Sequence, residues 1–145
     1  MAGKTFRFEL ITPDRTVFDG EVVSLSIPTG GGTIGILPGH APLVCTVDIG
    51  PLRIEDVDGN FQYLMVGDGF LEVQEKTVKL LAEVGERASD IDLARAEAAE
   101  KRALERLRSR LKADTDLERA RVALTRAMTR LRIVRDLAAA PRRRH

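Results

Sequence analysis

Tryptophan is absent from this chain of 145 residues, and cysteine and tyrosine each occur only once. The single Cys45 excludes an internal disulfide, and its apolar neighbours Leu43 and Val44 favour a small buried side chain over a nucleophile. Histidine occurs twice, once as the last residue, so no histidine-based metal or catalytic site is expected. Because no set of acid, base and nucleophile is present, the sequence predicts a protein that is not itself an enzyme and that holds no metal.

Long apolar runs are also missing. None approaches the ~20 residues that span a bilayer, and the first residues alternate polar with apolar instead of forming the core of a secretion signal. Aromatic residues make up 4% of the chain and none follows Phe70, which leaves no stacking platform for nucleic acid. We therefore expect an intracellular protein, soluble or peripheral to a larger assembly, with no nucleic acid partner.

The charge is unevenly distributed along the chain. Residues 1–89 contain 7 Lys or Arg and 13 Asp or Glu, a net charge of −6, whereas residues 90–145 contain 16 and 9, a net charge of +7. The near-neutral total of +1 hides this asymmetry. Two halves of opposite charge are expected to meet different partners.

The acidic half has the pattern of short β-strands. Apolar and polar residues alternate over 5–11, which is typical of a half-buried strand. Turn sequences such as Asp58-Gly59-Asn60 and Gly67-Asp68-Gly69 separate later strands. The glycines at 30–32 predict a hairpin rather than a phosphate loop, because no Gly-Lys-Ser/Thr follows them. The predicted strands are 5–11, 15–18, 22–27, 33–37, 43–47, 52–57, 61–66, 70–73 and 78–82, which together predict an all-β sandwich or flattened barrel.

The basic half has the composition of two helices. Ser89 to Asp92 resembles a capped helix start, and a run without Pro or Gly follows to Lys112. A second helix is predicted from Asp116 to about Ala138, with Thr115 and Glu118 as its capping box. The sequence therefore predicts two domains, a β domain over 1–88 and an antiparallel helical hairpin over 89–145, with 139–145 as a flexible basic tail.

A narrow apolar seam is predicted to join the two helices. In the second helix Leu117, Leu124 and Leu131 recur every seven residues, which suits an antiparallel neighbour. The predicted seam positions of the first helix are Leu93, Ala96, Ala103, Leu104, Leu107 and Leu111. Alanines allow close approach but bury little area, and burial stabilises by only ~25 cal/mol per Å². Two packings of the hairpin within a few kcal/mol of each other are therefore expected.

Arginines crowd both predicted helices. Some belong to solvated faces with pairs inside one helix, such as Glu105 with Arg108. Such pairs leave the excess of seven positive charges unexplained. A basic stripe of this kind favours an acidic protein surface, a nucleotide or a nucleic acid.

Five segments, in order and spacing, resemble the epsilon subunit of the bacterial and chloroplast rotary F-type ATP synthase over nearly the whole chain. They are GILPGHAPL at 35–43, GPLRI at 50–54, GFLEV at 69–73, IDLARA at 91–96 and RAMTRL at 126–131. The resemblance implies the fold derived above. It also implies a non-catalytic subunit of the central rotor stalk that couples proton flow to ATP synthesis, peripheral at the cytoplasmic face of the cell membrane.

The resemblance further implies partners and a switch. The β domain would contact the gamma subunit and the ring of c subunits. The hairpin would either lie folded or extend along gamma into the catalytic head, where it would restrain ATP hydrolysis against an acidic surface of the beta subunits. The membrane would be met only indirectly, through the complex.

Some members of the family bind ATP on the folded hairpin as a regulatory ligand, and no cofactor is required. The matching positions here are Glu86, Asp92, Arg95, Arg102, Arg126 and Arg130. A purely structural role remains an alternative for two of these residues. Asp92 also completes a helix start, and Arg95, three residues later, is placed to pair with it.

The contact with the c-ring departs from the family pattern. Many relatives carry a glutamate where Thr33 stands, and His40 remains as a polar candidate that we expect at the same end of the domain. Two alternatives to a rotary subunit stay open, a stand-alone ATP-binding sensor and a basic interaction module that binds DNA or RNA in a salt-dependent way.

Overall fold

A computed structural model describes residues 4–109 and 114–138 of the chain. The chain divides after Arg87 into two compact units, Met1–Arg87 and Ala88–His145. Strands build the first unit and helices the second, in the order that the sequence predicts. The sandwich followed by a helical hairpin is thereby confirmed. The predicted tail at 139–145 lies outside the described residues.

Eight strands build the first unit as far as the structure describes it, from residue 4 on. Their order is β2-β1-β8-β7-β5-β3-β4, and β6 pairs with both β3 and β7, so β7, β5, β3 and β6 close a ring. Neighbouring strands are antiparallel except β1 and β8, which are parallel. The strands are β1 (Phe6–Ile11), β2 (Thr16–Val22), β3 (Ser24–Thr29), β4 (Gly32–Ile36), β5 (Leu43–Val47), β6 (Gly50–Glu55), β7 (Phe61–Val73) and β8 (Thr77–Arg87).

Large apolar side chains fill the space between the strands. In β1 the inward residues Phe6, Phe8 and Leu10 alternate with outward ones, as the period of two predicts. The side chains of this cluster that are completely buried are Phe8, Leu10, Val22, Ile27, Leu52, Ile54, Leu64, Val66, Leu71 and Leu80. A core of this size stabilises the first unit mainly through its apolar area.

Strand β7 corrects one prediction. The sequence predicted two strands separated by a turn at Gly67-Asp68-Gly69, but the structure has one continuous strand of 13 residues. One edge of β7 pairs with β8, while its other edge pairs first with β6 and then with β5. Asp68 has a φ of 51°, so the chain bends here without leaving the sheet. Pairing on both edges overrides the local turn preference.

Glycine is required at the bend because another strand lies close. A Cβ on Gly69 would collide with the carbonyl oxygen of Leu81 and stand 3.0 Å from the Cα of Ala82. Gly67 is similarly crowded, by a side-chain carbon of Ile49 at 2.8 Å. The glycines that looked like turn residues therefore permit close approach of backbone segments.

The predicted hairpin at residues 30–32 is confirmed. Strands β3 and β4 are antiparallel, with Thr29 opposite Gly32 and two glycines between them. Gly32 has a φ of 117°, which glycine adopts without strain. The segment is thus a tight connection between strands and not a phosphate loop.

The second unit is a pair of helices, and their ends differ from the prediction. A 3-10 turn (Ala88–Asp90) precedes α1 (Leu93–Arg108), and α2 (Asp114–Arg132) runs into a π-helical turn (Ile133–Leu137). The first helix was predicted to start at Ser89 and to continue to Lys112, and both predictions are wrong. The cap is Asp92, and Ser109 at the other end is already extended, with ψ 108°. The second helix begins at Asp114, two residues earlier than predicted.

The predicted seam is largely confirmed. Ala96 and Ala103 of α1 are buried, as are Ala120, Ala127 and Leu131 of α2. Leu93 is 39% exposed, so the seam does not reach the first turn of α1 and the prediction for this residue is wrong. Leu111 lies outside the described residues. Four of these five residues are alanines, which bury little area, and Ile133 of the π-helical turn is completely buried as well.

Candidate functional site: an arginine-rich edge of the hairpin

The first helix starts at a predicted ligand. Asp92 is extended, with φ −86° and ψ 110°, and its carboxylate accepts a hydrogen bond of 3.1 Å from the backbone N–H of Arg95. Its carbonyl oxygen accepts from Ala96 N at 3.0 Å. Asp92 is therefore an N-cap, the structural role that the sequence left open. One of its carboxylate oxygens is already engaged.

Three arginines lie along one flank of α1. A helix turns by about 100° per residue, so Arg95 and Arg102, seven residues apart, fall within about 20° of each other. Arg106 lies one turn beyond Arg102 and on the same flank. All three are exposed. The flank is displaced by about 100° from the buried Ala96 and Ala103, so it borders the seam without entering it.

The register of the two helices follows from one contact. Arg135 Nη2 lies 3.1 Å from Glu97 Oε1, which sets the end of the second helix beside the start of α1. The helices are therefore antiparallel. Counting back from this contact, Arg130 stands about level with Arg102, and Arg126 about level with Arg106.

The second helix contributes its arginines to the same edge. In α2 the arginines at 119, 126 and 130 each directly precede a buried seam residue, as Arg95 and Arg102 do in α1, so a rotation of about 100° per residue places them beside the seam. Since Glu97 and Arg135 mark one edge of the hairpin, the arginines of both helices share the other edge. We call the set of Arg95, Arg102, Arg106, Arg119, Arg126 and Arg130 the arginine edge.

Five of the six predicted ATP ligands thus belong to the hairpin, and four of them lie on the arginine edge. Asp92 caps the helix that leads into this edge. Glu86, the sixth, is half-buried in β8 of the other unit, opposite Met65 of β7. The sequence missed Arg106 and Arg119 as members of the edge. Their spacing places them on the same helix faces, since Arg106 follows Arg102 by four residues and Arg119 precedes Arg126 by seven.

A depression of about 250 Å³ adjoins part of the edge, lined by Arg102, Glu105, Arg106 and Ser109. It is open to solvent and includes a carboxylate that opposes a phosphate. Among the residues that the structure describes, its lining comes from α1 and the adjoining Ser109 and does not include Arg126 or Arg130. The chemistry of the site therefore comes from the line of guanidinium groups and not from an enclosing cavity.

The predicted rotor contacts lie apart from each other. Thr33 is exposed near the start of β4, beside the hairpin with β3, whereas His40 follows the other end of that strand. His40 is held in a turn, where its backbone N–H donates to Leu37 O at 3.1 Å and its Nδ1 lies 2.7 Å from Ala41 O. The expectation that both residues contact the c-ring stays a prediction.

An apolar surface that the sequence did not reveal lies on the outside of the sheet. Val44, Phe70 and Leu81 are 71%, 62% and 50% exposed. Phe70 is the cross-strand neighbour of Leu81, and Val44 lies on the adjacent strand β5. We call these three residues the exposed apolar face. Large apolar side chains grouped on a surface mark a contact site for another protein.

The described residues offer neither a candidate metal site nor an activated thiol. Within residues 4–109 and 114–138, no group of three or more His, Cys, Asp or Glu side chains could hold a metal ion. Cys45 is half-buried, and burial raises the pKa of its thiol, which disfavours the reactive thiolate. In the same part of the chain, every helix is too short or too polar to cross a bilayer.

Known protein families match both units. Residues 5–88 match the model of the β-sandwich domain of the ATP synthase delta/epsilon chain, and residues 89–135 match the model of its long α-helix domain. The limits of these matches fall beside the boundary between the two units at Arg87. The two matches follow each other without a gap.

Curated relatives are similar over most of their length. The ATP synthase epsilon chain of Pelotomaculum thermopropionicum is 47% identical over 107 residues, which cover 74% of this chain and 79% of the relative. The epsilon chain of Bacillus subtilis is 43% identical over 106 residues, covering 73% and 80%.

Solved structures share the fold at lower identity. A chain of the Euglena gracilis mitochondrial ATP synthase, from its OSCP/F1/c-ring assembly, has a TM-score of 0.79 at 20% identity, covering 89% of this chain and 81% of its own. A chain of the Tetrahymena thermophila central stalk and c-ring has a TM-score of 0.59 at 14% identity, covering 92% and 99%.

Proposed function

The chain belongs to the ATP synthase delta/epsilon family as an epsilon-type, non-catalytic subunit of the central stalk, and on that premise we propose that its hairpin restrains ATP hydrolysis when extended and that ATP favours its closed form. The observation that carries this proposal is the arginine edge. Six guanidinium groups line a hairpin whose seam is mostly alanine. The two helices separate at low energetic cost along such a seam. The arginines bind ATP in the closed state and the beta subunits in the extended state.

The exposed apolar face and the β3–β4 region supply the contacts of the stalk. Val44, Phe70 and Leu81 form the surface that binds the gamma subunit. Thr33, exposed at the hairpin of β3 and β4, faces the c-ring, and His40 at the opposite end of β4 makes a separate polar contact. These contacts hold the sandwich at the cytoplasmic face of the cell membrane as a peripheral part of the complex, which couples proton flow to ATP synthesis.

ATP binds along the arginine edge of the closed hairpin. Arg102 with Arg130, and Arg106 with Arg126, stand at similar heights on the two helices, so the phosphates of one nucleotide bridge both. Each charge-assisted hydrogen bond contributes about 1.5–3 kcal/mol. Because bridging requires both helices, ATP has a higher affinity for the closed state and shifts the population toward it.

The extended hairpin presents the same arginines to an acidic surface of the beta subunits. The net charge of +7 over residues 90–145 favours that encounter. ATP and the catalytic head therefore compete for the same side chains. High ATP keeps the hairpin closed and permits turnover, while low ATP releases the hairpin into the head and conserves the nucleotide.

Hydrolysis by the assembled head tests the inhibitory role. The alpha, beta and gamma subunits are combined with the full chain or with a chain that ends at Ser89, which retains the sandwich. We expect slower ATP hydrolysis with the full chain than with the shortened one, most clearly at low ATP. Equal rates, with both chains shown to be bound, would refute the restraint.

Calorimetry tests the nucleotide site separately. ATP should release heat on binding the full chain, and Arg126→Ala should weaken the affinity at least about tenfold, the loss of one charge-assisted bond. Arg121→Ala is the matched control, since Arg121 is exposed on α2 away from the arginine edge and pairs with Glu118 at 3.7 Å. The absence of heat with the wild type at millimolar ATP would rule out nucleotide binding.

A further inference from the structure

An ion pair joins the two helices at the open end of the hairpin. Arg135 Nη2 and Glu97 Oε1 are 3.1 Å apart, and their side chains are 51% and 49% exposed. Glu97 lies near the start of α1, and Arg135 lies near the end of the second helix. The other end of the hairpin is joined covalently through residues 110–113. The pair therefore crosses the seam where the chain provides no link between the helices.

The π-helical turn positions the arginine of this pair. Ala138 N–H donates to the carbonyl oxygen of Ile133 at 2.8 Å, five residues back instead of four. A π turn places one more residue in the turn than an α-helix, so the side chains within it point in different directions than a continued α-helix would give. Arg135 is in the middle of this turn, so the π geometry contributes to the direction of its side chain.

A second ion pair of the hairpin provides a contrast. Arg121 Nη1 and Glu118 Oε2 are 3.7 Å apart, but both residues belong to α2. Breaking that pair changes the charge of one helix and leaves the association of the helices unaffected. The Glu97–Arg135 pair exists only while the two helices lie together.

We propose that Glu97 and Arg135 form a clasp that holds the hairpin closed. This regulatory role rests on the proposed function, in which the extended hairpin restrains ATP hydrolysis. The clasp lies on the edge of the hairpin opposite to the arginine edge. An anion bound to the arginine edge and the clasp therefore stabilise the same closed seam from two sides, and the clasp acts even when no nucleotide is bound.

The expected strength of the clasp is modest. Half-exposed ion pairs shift an equilibrium by about two- to five-fold. A shift of this size matters here because the seam consists mainly of alanines, so that the closed and open states lie within a few kcal/mol of each other. Salt should weaken the clasp, since the charges are accessible to counterions.

The test measures opening directly in the full chain. Cys45 is the only cysteine, so a Cys45→Ala background with Ala98→Cys and Arg132→Cys carries two spin labels on exposed positions of the two helices. Pulsed electron spin resonance then gives the fractions with short and long distances between the labels. Helical content by circular dichroism verifies that each variant retains its helices.

Glu97→Gln should raise the ratio of open to closed hairpin by about two- to five-fold, whereas the matched control Glu118→Gln should leave it unchanged. Glu97→Arg should open the hairpin at least as much, and adding Arg135→Glu should restore the closed fraction by re-forming the pair in reverse. Salt should open the wild type more than Glu97→Gln. If Glu97→Gln behaves like Glu118→Gln, or if the reversed pair fails to restore closure, the clasp is refuted.

Hydrolysis by the assembled head separates the clasp from the proposed function. If both are correct, Glu97→Gln should restrain hydrolysis more strongly than the wild type at equal ATP. If the distances show the expected opening while hydrolysis stays unchanged, the clasp is supported and the inhibitory role of the extended hairpin is refuted.

Discussion

The two units of this chain are stabilised by side chains of different size. The sandwich buries phenylalanine, leucine and isoleucine between its strands, and its completely buried residues include Phe8 and Leu10. The hairpin seam relies on Ala96, Ala103 and their counterparts in α2. Since stabilisation follows buried apolar area, the sandwich core is held more strongly than the hairpin seam.

This difference matches the distribution of charge. The sandwich has a net negative charge, whereas the hairpin is basic and its arginines lie beside the weakly packed seam. Under the proposed function, a binding partner for those cations decides which state the hairpin adopts. The comparison makes four predictions, from the largest expected effect to the smallest.

The largest effect is expected in the sandwich core. Phe8 is completely buried and its ring centroid lies 5.7 Å from that of Phe18. Phe8→Ala should lower the free energy of unfolding by about 3–5 kcal/mol, measured by urea denaturation. Phe70→Ala on the exposed apolar face is the control and should change stability little. A small loss for Phe8→Ala would contradict the contrast between the units.

A smaller effect is expected from enlarging the hairpin seam. Ala127 is completely buried in α2, and Ala127→Leu should force the helices apart at a cost of about 1–3 kcal/mol. The open fraction, measured with the spin labels described above, should rise while the urea unfolding of the strands stays unchanged. Met128→Leu, at the neighbouring exposed position, should leave both the open fraction and the urea unfolding unchanged. Unchanged closure in Ala127→Leu would mean that the seam is not closely packed.

The third prediction separates the two roles of Asp92. Asp92→Ala should reduce helical content, because the loss of a cap costs about 1 kcal/mol. Asp92→Asn should retain the helix, since asparagine caps as well as aspartate does. Titration of ATP into Asp92→Asn by calorimetry then tests the charge of Asp92 separately from its capping role. If Asp92 acts only as a cap, Asp92→Asn should bind ATP as well as the wild type, and a weakened affinity would show that the carboxylate itself contacts the ligand.

The smallest effect is expected at the surface of the sandwich. The guanidinium of Arg7 donates two hydrogen bonds of 3.0 Å to the carboxylate of Asp19, and this contact lowers the pKa of Asp19. Because the pKa is lower in the folded than in the unfolded state, the contact stabilises the fold at pH values above the unfolded pKa of about 3.9. This stabilisation is lost as the pH falls through the folded pKa. Asp19→Asn should therefore flatten the acid limb of the stability curve, whereas Asp14→Asn should not.

Alternation along the sequence sufficed to predict most of the sandwich. The strands that begin near Phe6 and Leu43 follow the polar and apolar pattern closely. The prediction failed at Gly67-Asp68-Gly69, where residues typical of a turn lie inside β7. Turn preference is a local property, but the pairing of β7 with three other strands depends on residues far away in the sequence. Sequence patterns could not reveal those partners.

The presence and the order of the two helices were predicted correctly, whereas the residues at which they begin and end were not. Ser89 and Asp92 both suit a cap, and the choice between them depends on which backbone N–H groups each can reach. The arginine edge was partly predicted through a resemblance that identified Arg95, Arg102, Arg126 and Arg130. The contact between Glu97 and Arg135 could not be predicted, because it requires the register of the helices and a π turn that leaves no distinct mark in the sequence.

The pairing of β7 on both of its edges has a mechanical consequence. Hydrogen bonds between antiparallel strands run perpendicular to the strand direction, and β7 is bonded on both edges, to β8 along its length and to β6 and β5 in turn. A force that pulls on Phe70 along the strand loads all of these bonds together in shear, instead of peeling them one at a time. In a subunit of the central stalk, such a strand would distribute a load applied at Phe70 over β5, β6 and β8.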